Sequence, residues 1–243
     1  MMELLLATDL DHTLVGDDGA TGRLNQWLME RRGRVGLVYC TGRSLHSARQ
    51  LQQERALLEP DYWVTAVGTE IYHRGLPDPD WRALLAAGWQ RETLVALTEH
   101  FQDLIPQPEV EQGPFKVSFF LERSMSATVL PRLRQAIAAL GIPAQLVYST
   151  GQDLDILPQA GDKGQAITYL RARLNLAPER TLVCGDSEND LSLYQGTERG
   201  VLVSNAQTPL VAWYRQHGQP WHYLACTPYA GGILEALAHF GLE

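Results

Sequence analysis

Two aspartates, Asp9 and Asp11, follow the apolar run Leu4–Thr8 with only Leu10 between them. Side chains two residues apart in an extended chain point to the same side, so both carboxylates are expected to face one site. A carboxylate can attack phosphorus as a nucleophile, and a second carboxyl group can protonate a leaving oxygen and later deprotonate water. The spacing therefore predicts a phosphoryl-transfer centre with Asp9 as nucleophile and Asp11 as acid and base.

A phosphate-binding turn is expected after a second apolar run, Val35–Cys40, where the sequence reads Thr41-Gly42-Arg43. Ser44 is a suitable N-cap for the helical pattern that follows. The N-terminus of a helix attracts anions because its first N–H groups have no partner within the helix. The Thr41 hydroxyl and the Gly42 amide are therefore candidate phosphate donors.

Positive charge and metal ligands are expected from two later segments. Lys163 opens a helical pattern and can offset charge that develops on a transferring group. The segment Gly185-Asp186-Ser187-Glu188-Asn189-Asp190 follows another apolar run. Asp186, with Asp9, offers the carboxylate oxygens that Mg²⁺ prefers, and Asp190 can position Lys163 or a metal-bound water.

Each of these clusters, taken alone, also has an ordinary structural explanation. An aspartate at a strand end is often a helix N-cap, a lysine in the first turn of a helix is usually solvated, and an acidic turn is usually just a turn. In open α/β sheets, however, ligands bind at the carboxyl ends of the strands. All four clusters fall at such positions, which favours the functional interpretation.

The elements that must position these residues alternate between short apolar runs and amphipathic stretches, which is typical of an α/β fold. The alternation is interrupted between Pro77 and Pro158 by a proline-punctuated segment that contains helical patterns and the β-prone run Phe115–Leu121. The pattern predicts a Rossmann-like parallel-sheet core of residues 1–77 and 158–243, with an inserted α/β cap of residues 78–157. A helix is expected directly after Asp190.

The motifs resemble those of haloacid-dehalogenase-type phosphatases. Asp9-Leu10-Asp11-His12-Thr13-Leu14 is similar to their first motif, D-x-D-x-T-L/V, and Thr41, Lys163 and the segment 185–190 are similar to the second, third and fourth. The resemblance implies an aspartyl-phosphate intermediate and Mg²⁺, with Asp9, the Asp11 carbonyl and Asp186 as metal ligands. It also makes Leu10 and Asn189 candidate phosphate contacts. Asp11 followed by Thr13 favours a phosphohydrolase over a dehalogenase.

The insert between the second and third motifs is similar to the cap of the sugar-phosphatase branch. Within that branch, Val67–Tyr72, Cys184–Asp190 and Val203–Gln207 resemble the sucrose-phosphate phosphatase family. The substrate that this resemblance implies is sucrose 6F-phosphate. Glu188 stands where many relatives have glycine, a difference expected to change loop stiffness more than chemistry.

The cap is expected to supply the sugar contacts. Strand alternation places Phe115, Val117, Phe119 and Leu121 on one face, for packing against cap helices, and Lys116, Ser118 and Phe120 on the other. Lys116 is therefore a candidate ligand contact. The remaining candidates are Asp155, within an apolar strand, Arg43 and Glu70 on the core side, and Gln102 near the end of a cap helix. Asp155 could equally keep an edge strand solvated.

Several functions remain open at this stage. Another sugar-phosphate phosphatase, acting on mannosylglycerate, trehalose or hexose phosphate, would carry the same core motifs. A phosphomutase uses the same intermediate but needs a phosphorylated sugar activator. A non-catalytic sugar-phosphate-binding module would be expected to have lost Asp9 or Asp11, and this chain has both.

Composition narrows the partners. The chain of 243 residues carries 28 acidic and 20 basic residues, a net charge of −8, which disfavours nucleic acid and anionic membranes as partners. Cys40 and Cys184 end apolar runs and are expected to be buried, reduced thiols, which points to the cytoplasm. The histidines and cysteines lack zinc spacing. A monomer that binds a small sugar phosphate is expected, with the enzyme that makes its substrate as one candidate protein partner.

Overall fold

The structure is a computed structural model that describes residues 2–242. The strands are β1 Leu4–Thr8, β2 Val35–Cys40, β3 Tyr62–Thr65, β4 Glu70–His73, β5 Leu76–Pro77, β6 Ile105–Pro106, β7 Val117–Phe120, β8 Ala144–Ser149, β9 Asp153–Pro158, β10 Thr181–Gly185, β11 Arg199–Leu202 and β12 His222–Leu224. The α-helices are α1 Asp18–Glu30, α2 Leu45–Glu54, α3 Pro79–Ala86, α4 Arg91–Thr98, α5 Arg123–Ala139, α6 Lys163–Arg173, α7 Thr208–His217 and α8 Tyr229–His239.

The larger sheet has the strand order β12-β11-β10-β1-β2-β3-β4-β5. The strands from β12 to β3 are parallel, and β4 and β5 add an antiparallel edge. All residues of β1 and β2 are buried, because helices cover both faces of the sheet and leave these strands no solvated side. The parallel α/β core predicted from the sequence is confirmed, and Cys40 and Cys184 are buried free thiols within it.

Each face of β1 packs into its own apolar cluster. Leu4 and Leu6 lie in the cluster that includes residues of α1 and α8, and Leu5 and Ala7 lie in the one that includes residues of α6. This two-sided packing fixes the direction of β1, so the residues that follow Thr8 emerge at the carboxyl edge of the sheet.

The smaller sheet is antiparallel, with the order β6-β7-β9-β8. One of its faces packs against α4 and α5 through Val117, Phe119 and Leu121. The predicted alternation of this strand is confirmed for these three residues. Phe115 differs from the prediction: it lies in the cluster of the larger sheet, together with Trp81 and Leu85 of α3.

Helix α3 lies just after residue 78, where the predicted cap begins. Its Trp81 donates a hydrogen bond from the indole Nε1 to the Gly68 carbonyl at 3.1 Å, and its ring packs against Tyr169 of α6. The helix therefore packs with the larger sheet, although its residues fall in the segment assigned to the cap. The change of hydrophobic cluster comes after α3.

Two local differences from the sequence-based expectations concern helices near the site. The segment after Gly185 forms a 3₁₀ helix, Glu188–Tyr194, in place of the expected α-helix. Its first turn is set by a reciprocal capping box between Ser187 and Asp190, whose side chains each accept the other residue's N–H. Helix α7 was not predicted.

Within residues 2–242, no helix combines the length and the apolar character needed to cross a bilayer.

Candidate active site

The predicted site residues converge at the carboxyl edge of the larger sheet. Asp9 follows β1, Thr41 follows β2 and Asp186 follows β10, and these three strands are neighbours in the sheet. A cavity of about 530 Å³, here called the site cavity, lies between this edge and the smaller sheet. The predicted residues that line it are Asp9, Asp11, Thr41, Gly42, Arg43, Lys116, Asp155, Asp186 and Asn189.

Lys163 is the hub of the site. It is the first residue of α6, whose N-cap Asp162 accepts the Gln165 N–H, and its side chain is fully buried. Its Nζ donates to Asp9 Oδ1 at 2.8 Å, to Asp190 Oδ1 at 2.6 Å and to Asn189 Oδ1 at 2.9 Å. The ammonium group therefore has all three of its donors engaged, and one of them holds the predicted nucleophile.

Asp190 contacts both Lys163 and the segment that follows β10. Its second oxygen, Oδ2, accepts the N–H groups of Asp186 at 2.9 Å and Ser187 at 3.1 Å. This side chain lies over Gly185, where a Cβ atom would overlap it. The sequence needs glycine at this position because the carboxylate occupies the space of a side chain.

The electrostatics of the site are those of three buried acids around one buried base. Burial raises the pKa of Asp9 well above its usual value; Lys163 opposes the rise, and the charges of Asp190 and Asp186 add to it. Burial and then Asp190 raise the pKa of Asp186 to about 7, against a hydrogen bond from Thr13. Burial disfavours charge on Lys163, but Asp190 and Asp9 outweigh it and raise the Lys163 pKa.

The carboxylates fit a divalent cation. One oxygen each from Asp9, Asp186 and Asp190 lie within 4.8 Å of one another. Asp190 is committed to Lys163 and to two N–H groups, so Asp9 and Asp186 are the carboxylates that remain available. Thr13 Oγ1 donates to Asp186 Oδ1 at 2.9 Å and orients that carboxylate. An excess of buried negative charge lined by oxygen atoms is the environment that hard cations favour.

The turn after β2 has the expected form. The Ser44 side chain accepts the Ser47 N–H and caps α2, and Thr41 Oγ1 accepts the Arg43 N–H at 3.2 Å. Arg43 lies on the cavity wall, as expected, but its guanidinium is paired with Asp11, Nε to Oδ2 at 2.6 Å. No local pattern in the sequence indicates this pair, because its two residues are 32 positions apart.

The smaller sheet closes the other side of the cavity with a buried ion pair. Lys116 Nζ lies 3.4 Å from Asp155 Oδ1, and Ser118 Oγ donates to the same carboxylate oxygen at 2.5 Å. Lys116 and Asp155 are 3 % and 6 % exposed, so little solvent competes with a bound molecule for these groups.

Some predicted residues take other positions. Glu70 does not line the site cavity, because its Oε2 accepts hydrogen bonds from Thr65 and Tyr72 within the sheet. Gln102 lies in a separate cavity of about 860 Å³ beside α4. Helix α4 ends before this residue, and the cavity lies on the face of β7 opposite the site cavity. The Leu10 side chain is buried in the core, so only its main chain can reach a phosphate.

Other residues of the site cavity were not predicted. They include His12, Gln107, Glu111, Ser149, Asp153, Ser187 and Gln207. Gln107, Glu111, Ser149 and Asp153 belong to the part of the chain that carries the smaller sheet, and their contact with the cavity depends on how the two sheets dock, which leaves no local pattern in a sequence. A usable signal existed for His12, Ser187 and Gln207, which lie within the motif segments of the sequence.

The parallel sheet, with this aspartate pair, threonine turn, lysine and acidic loop at its carboxyl edge, has the haloacid-dehalogenase fold. The family described as Sucrose-6F-phosphate phosphohydrolase matches residues 2–241. The chain belongs to this family.

Three relatives are similar to this chain over nearly its whole length. A solved structure of the sucrose-phosphatase from Synechocystis in complex with sucrose and phosphate is 48 % identical, with a TM-score of 0.96 over 99 % of both chains. Sucrose-phosphatase 2 of Nicotiana tabacum is 36 % identical over 98 % of this chain and 59 % of the tobacco protein. Mannosylfructose-phosphate phosphatase of Agrobacterium fabrum is 34 % identical over 98 % of this chain and 97 % of that protein. The chain thus spans about 60 % of the length of the plant relatives.

Proposed function

We propose that this chain is a Mg²⁺-dependent phosphatase that hydrolyses sucrose 6F-phosphate to sucrose and phosphate. The observation that carries the proposal is the contact of Lys163 with Asp9 and Asp190 at one end of a cavity whose other end holds the Lys116–Asp155 pair. One end suits a phosphoryl group and the other suits sugar hydroxyls. The Synechocystis relative, solved with sucrose and phosphate, supports this substrate.

In the first half of the proposed reaction, a carboxylate oxygen of Asp9 attacks phosphorus and the bond from phosphorus to the sugar oxygen breaks. Asp11 gives a proton to the departing oxygen. Lys163 lies against Asp9 and offsets negative charge at the site of transfer. Thr41 and the Gly42 amide, which line the same cavity, hold phosphate oxygens.

In the second half, water attacks the aspartyl phosphate, Asp11 takes the proton of that water, and the bond from Asp9 to phosphorus breaks. Phosphate leaves and both aspartates return to their starting state. Asp9, Asp186 and the main-chain carbonyl of Asp11 would hold Mg²⁺. When bound, the ion would neutralise charge on the transferring phosphoryl group and its carboxylate neighbours.

A second candidate substrate is mannosylfructose phosphate. The Agrobacterium fabrum relative named for that activity matches the chain over almost its whole length, whereas the plant sucrose-phosphatases extend well beyond it. Both candidates are disaccharide phosphates, so the same cavity could accept either one. Mannosylglycerate, trehalose and hexose phosphates and a phosphomutase reaction stay as weaker alternatives.

The test is phosphate release from a panel of these sugar phosphates, each with Mg²⁺ and with excess chelator. We expect sucrose 6F-phosphate to have the highest kcat/KM, by roughly tenfold or more over single-sugar esters, because a polar site rejects analogues that leave its groups unpaired. A higher kcat/KM for mannosylfructose phosphate would replace the substrate. Phosphate transfer to another sugar without release would indicate a mutase.

Three further expectations belong to the same proposal. The unpaired buried thiols Cys40 and Cys184 support a reducing, cytoplasmic location. A monomeric state and contact with the enzyme that makes the substrate stay predictions. Sedimentation of the purified chain, alone and with that enzyme, would test both.

A further inference from the structure

The segment Val203–Gln207 has no part in the reaction above, although its sequence is similar to that of the family. It connects the acidic loop of residues 185–190 to the first motif, residues 9–14, by hydrogen bonds. Its main chain is anchored on one side by the Gln207 N–H, which donates to the Asp186 carbonyl at 2.7 Å. On the other side the Ser204 N–H donates to the Thr227 carbonyl at 3.1 Å. Asn205, between these anchors, is therefore held at a fixed place beside the site.

The Asn205 side chain connects two distant parts of the chain. Its Nδ2 donates to the His12 carbonyl at 2.7 Å, and its Oδ1 accepts the Tyr229 N–H at 3.0 Å. The two partners fix the orientation of the amide, because a carbonyl needs the donor and an N–H needs the acceptor. No other residue type of this size supplies both groups.

Both partners of Asn205 are in the left-handed backbone region, His12 with φ 58° and Tyr229 with φ 53°. Non-glycine residues in this region carry strain and persist where the surroundings hold them. A third contact completes the arrangement: a Cβ at Gly16 would overlap the Tyr229 ring, so this ring packs directly on the loop main chain. The loop of residues 9–16 is thus held from the Asn205 and Tyr229 side.

His12 lies between Asp11, the proposed acid and base, and Thr13, which orients Asp186. A shift of the His12 carbonyl would move both neighbours because they share its peptide units. We propose that Asn205 is a positioning residue that, by bridging His12 and Tyr229, keeps Asp11 where it can serve the leaving oxygen. The inference rests on the proposed phosphatase function.

The test compares two esters in Asn205→Ala, which removes both hydrogen bonds, and Asn205→Asp, which keeps only the acceptor. p-Nitrophenolate leaves without a proton, whereas a sugar alkoxide needs one from Asp11. We compare kcat/KM, which reports only the steps up to formation of the aspartyl phosphate. We expect kcat/KM for the sugar phosphate to fall roughly 10- to 100-fold, since small misplacements of catalytic groups have effects of this size. We expect kcat/KM for p-nitrophenyl phosphate to fall about threefold or less, because that ester needs little general-acid help in the first half-reaction.

Asn175→Asp is the matched control. Asn175 is also in the left-handed region, with φ 53°, but lies exposed in the turn after α6. Asn175→Asp should leave the activity on both esters unchanged. Melting temperatures of all variants show whether they are folded, and Asn205→Asp serves if the alanine variant is not.

Hydrogen exchange gives a readout that does not depend on activity. Amides of residues 9–16 should exchange faster in both Asn205 variants and at the wild-type rate in Asn175→Asp. Equal losses for the two esters, or unchanged exchange in this loop, would overturn the role of Asn205. A wild-type chain that releases no phosphate from any ester would instead refute the proposed function, and the exchange data would still decide whether Asn205 holds the loop.

Discussion

Arg43 binds Asp11 with both arms of its guanidinium, Nε to Oδ2 at 2.6 Å and Nη2 to Oδ1 at 2.8 Å. The third nitrogen, Nη1, donates to Ser47 Oγ at 2.7 Å and ties the pair to the first turn of α2. Both oxygens of the proposed acid and base are therefore occupied. One contact must open before Asp11 can reach a leaving oxygen, so Arg43 sets the resting position of this carboxylate.

The first prediction concerns this pair. Arg43→Lys keeps the charge but loses the two-armed contact, so we expect kcat to fall roughly tenfold with a smaller change in KM, the pattern of lost orientation. Ser47→Ala removes only the anchor of Arg43 and should lower kcat about two- to threefold. Steady-state kinetics on the sugar phosphate measure both. A higher kcat in Arg43→Lys would show that the pair restrains Asp11.

The second prediction concerns the two aspartates. Asp9→Asn removes the nucleophile and should abolish phosphate release. Asp11→Asn keeps the covalent path but loses proton transfer in both half-reactions, which costs about 10²- to 10⁴-fold in kcat. Asp103→Asn is the matched control, since Asp103 is exposed and outside the site cavity. Wild-type turnover in Asp9→Asn would refute the proposed mechanism.

The third prediction concerns the metal. Activity should vanish in excess chelator and return with Mg²⁺, and Asp186→Ala should raise the Mg²⁺ requirement sharply. Because the pKa of Asp186 is raised to about 7, protons should compete with the metal as pH falls below that value. The Mg²⁺ concentration for half-maximal activity should therefore rise from pH 8 to pH 6. Full activity in chelator would contradict the metal assignment.

The fourth prediction concerns stability away from the site. Glu235 accepts the N–H groups of Cys226 and Thr227, both at 2.9 Å, and the hydroxyls of Thr227 and Tyr223. Burial alone would raise its pKa, but these hydrogen bonds prevail and lower it to about 2. A carboxyl group whose pKa is lowered by folding stabilises the fold at pH values above its pKa in the unfolded chain. This stabilisation is lost as the pH falls towards about 2, the pKa of the folded state.

Glu235→Gln should therefore lower the free energy of unfolding at pH 7 by about 1 kcal/mol, a value discounted for the partial exposure of this group. The difference from wild type should shrink as pH falls from about 4.5 to 2. Urea unfolding at several pH values measures it. Glu54→Gln, on the exposed face of α2, is the control, and a difference that grows towards acid would contradict the assignment.

The sequence predicted the core because its signals are local. The apolar runs Leu4–Thr8 and Val35–Cys40 are strands buried on both faces. The polar residues that directly follow these strands must therefore lie at the carboxyl edge of the sheet. Lys163 was identified by its place at the start of a helix. Its contacts with Asp9 and Asp190 span 154 and 27 positions of sequence, so their geometry could only come from the fold.

The cap side was harder to predict, for a physical reason. Alternation placed Lys116 correctly on the cavity face of its strand, but it says nothing about which loops meet that face. Gln107 and Glu111 reach the cavity because the smaller sheet docks over it. Glu70 was expected at the site from the core side and Gln102 from the end of a cap helix, but hydrogen bonds within the sheet hold Glu70 elsewhere and Gln102 lies in a separate cavity.

The last prediction concerns selectivity, which we assign to Lys116 and Asp155. The proposed phosphate contacts from Thr41, Gly42 and Lys163 would be the same for every monoester, so they cannot choose among sugars. The choosing groups must lie beyond the phosphate, and the Lys116–Asp155 pair is the buried charged group on that side of the cavity within residues 2–242. Lys116→Ala or Asp155→Ala should therefore lower kcat/KM for the disaccharide phosphate roughly 100-fold, and that for p-nitrophenyl phosphate only a few-fold.

Removing one member of a buried ion pair also destabilises a protein, by about 3–5 kcal/mol, so lost folding must be separated from lost selectivity. The double variant Lys116→Met/Asp155→Leu removes both charges at once and should recover most of that stability, since apolar replacements of buried pairs are often neutral. It should still discriminate poorly between the two esters, because neither hydrogen-bonding group remains. Kinetics at a temperature where all variants are folded give the ratio of the two kcat/KM values. Equal losses for both esters would show that the pair is structural, and the assignment of selectivity to this sheet would fail.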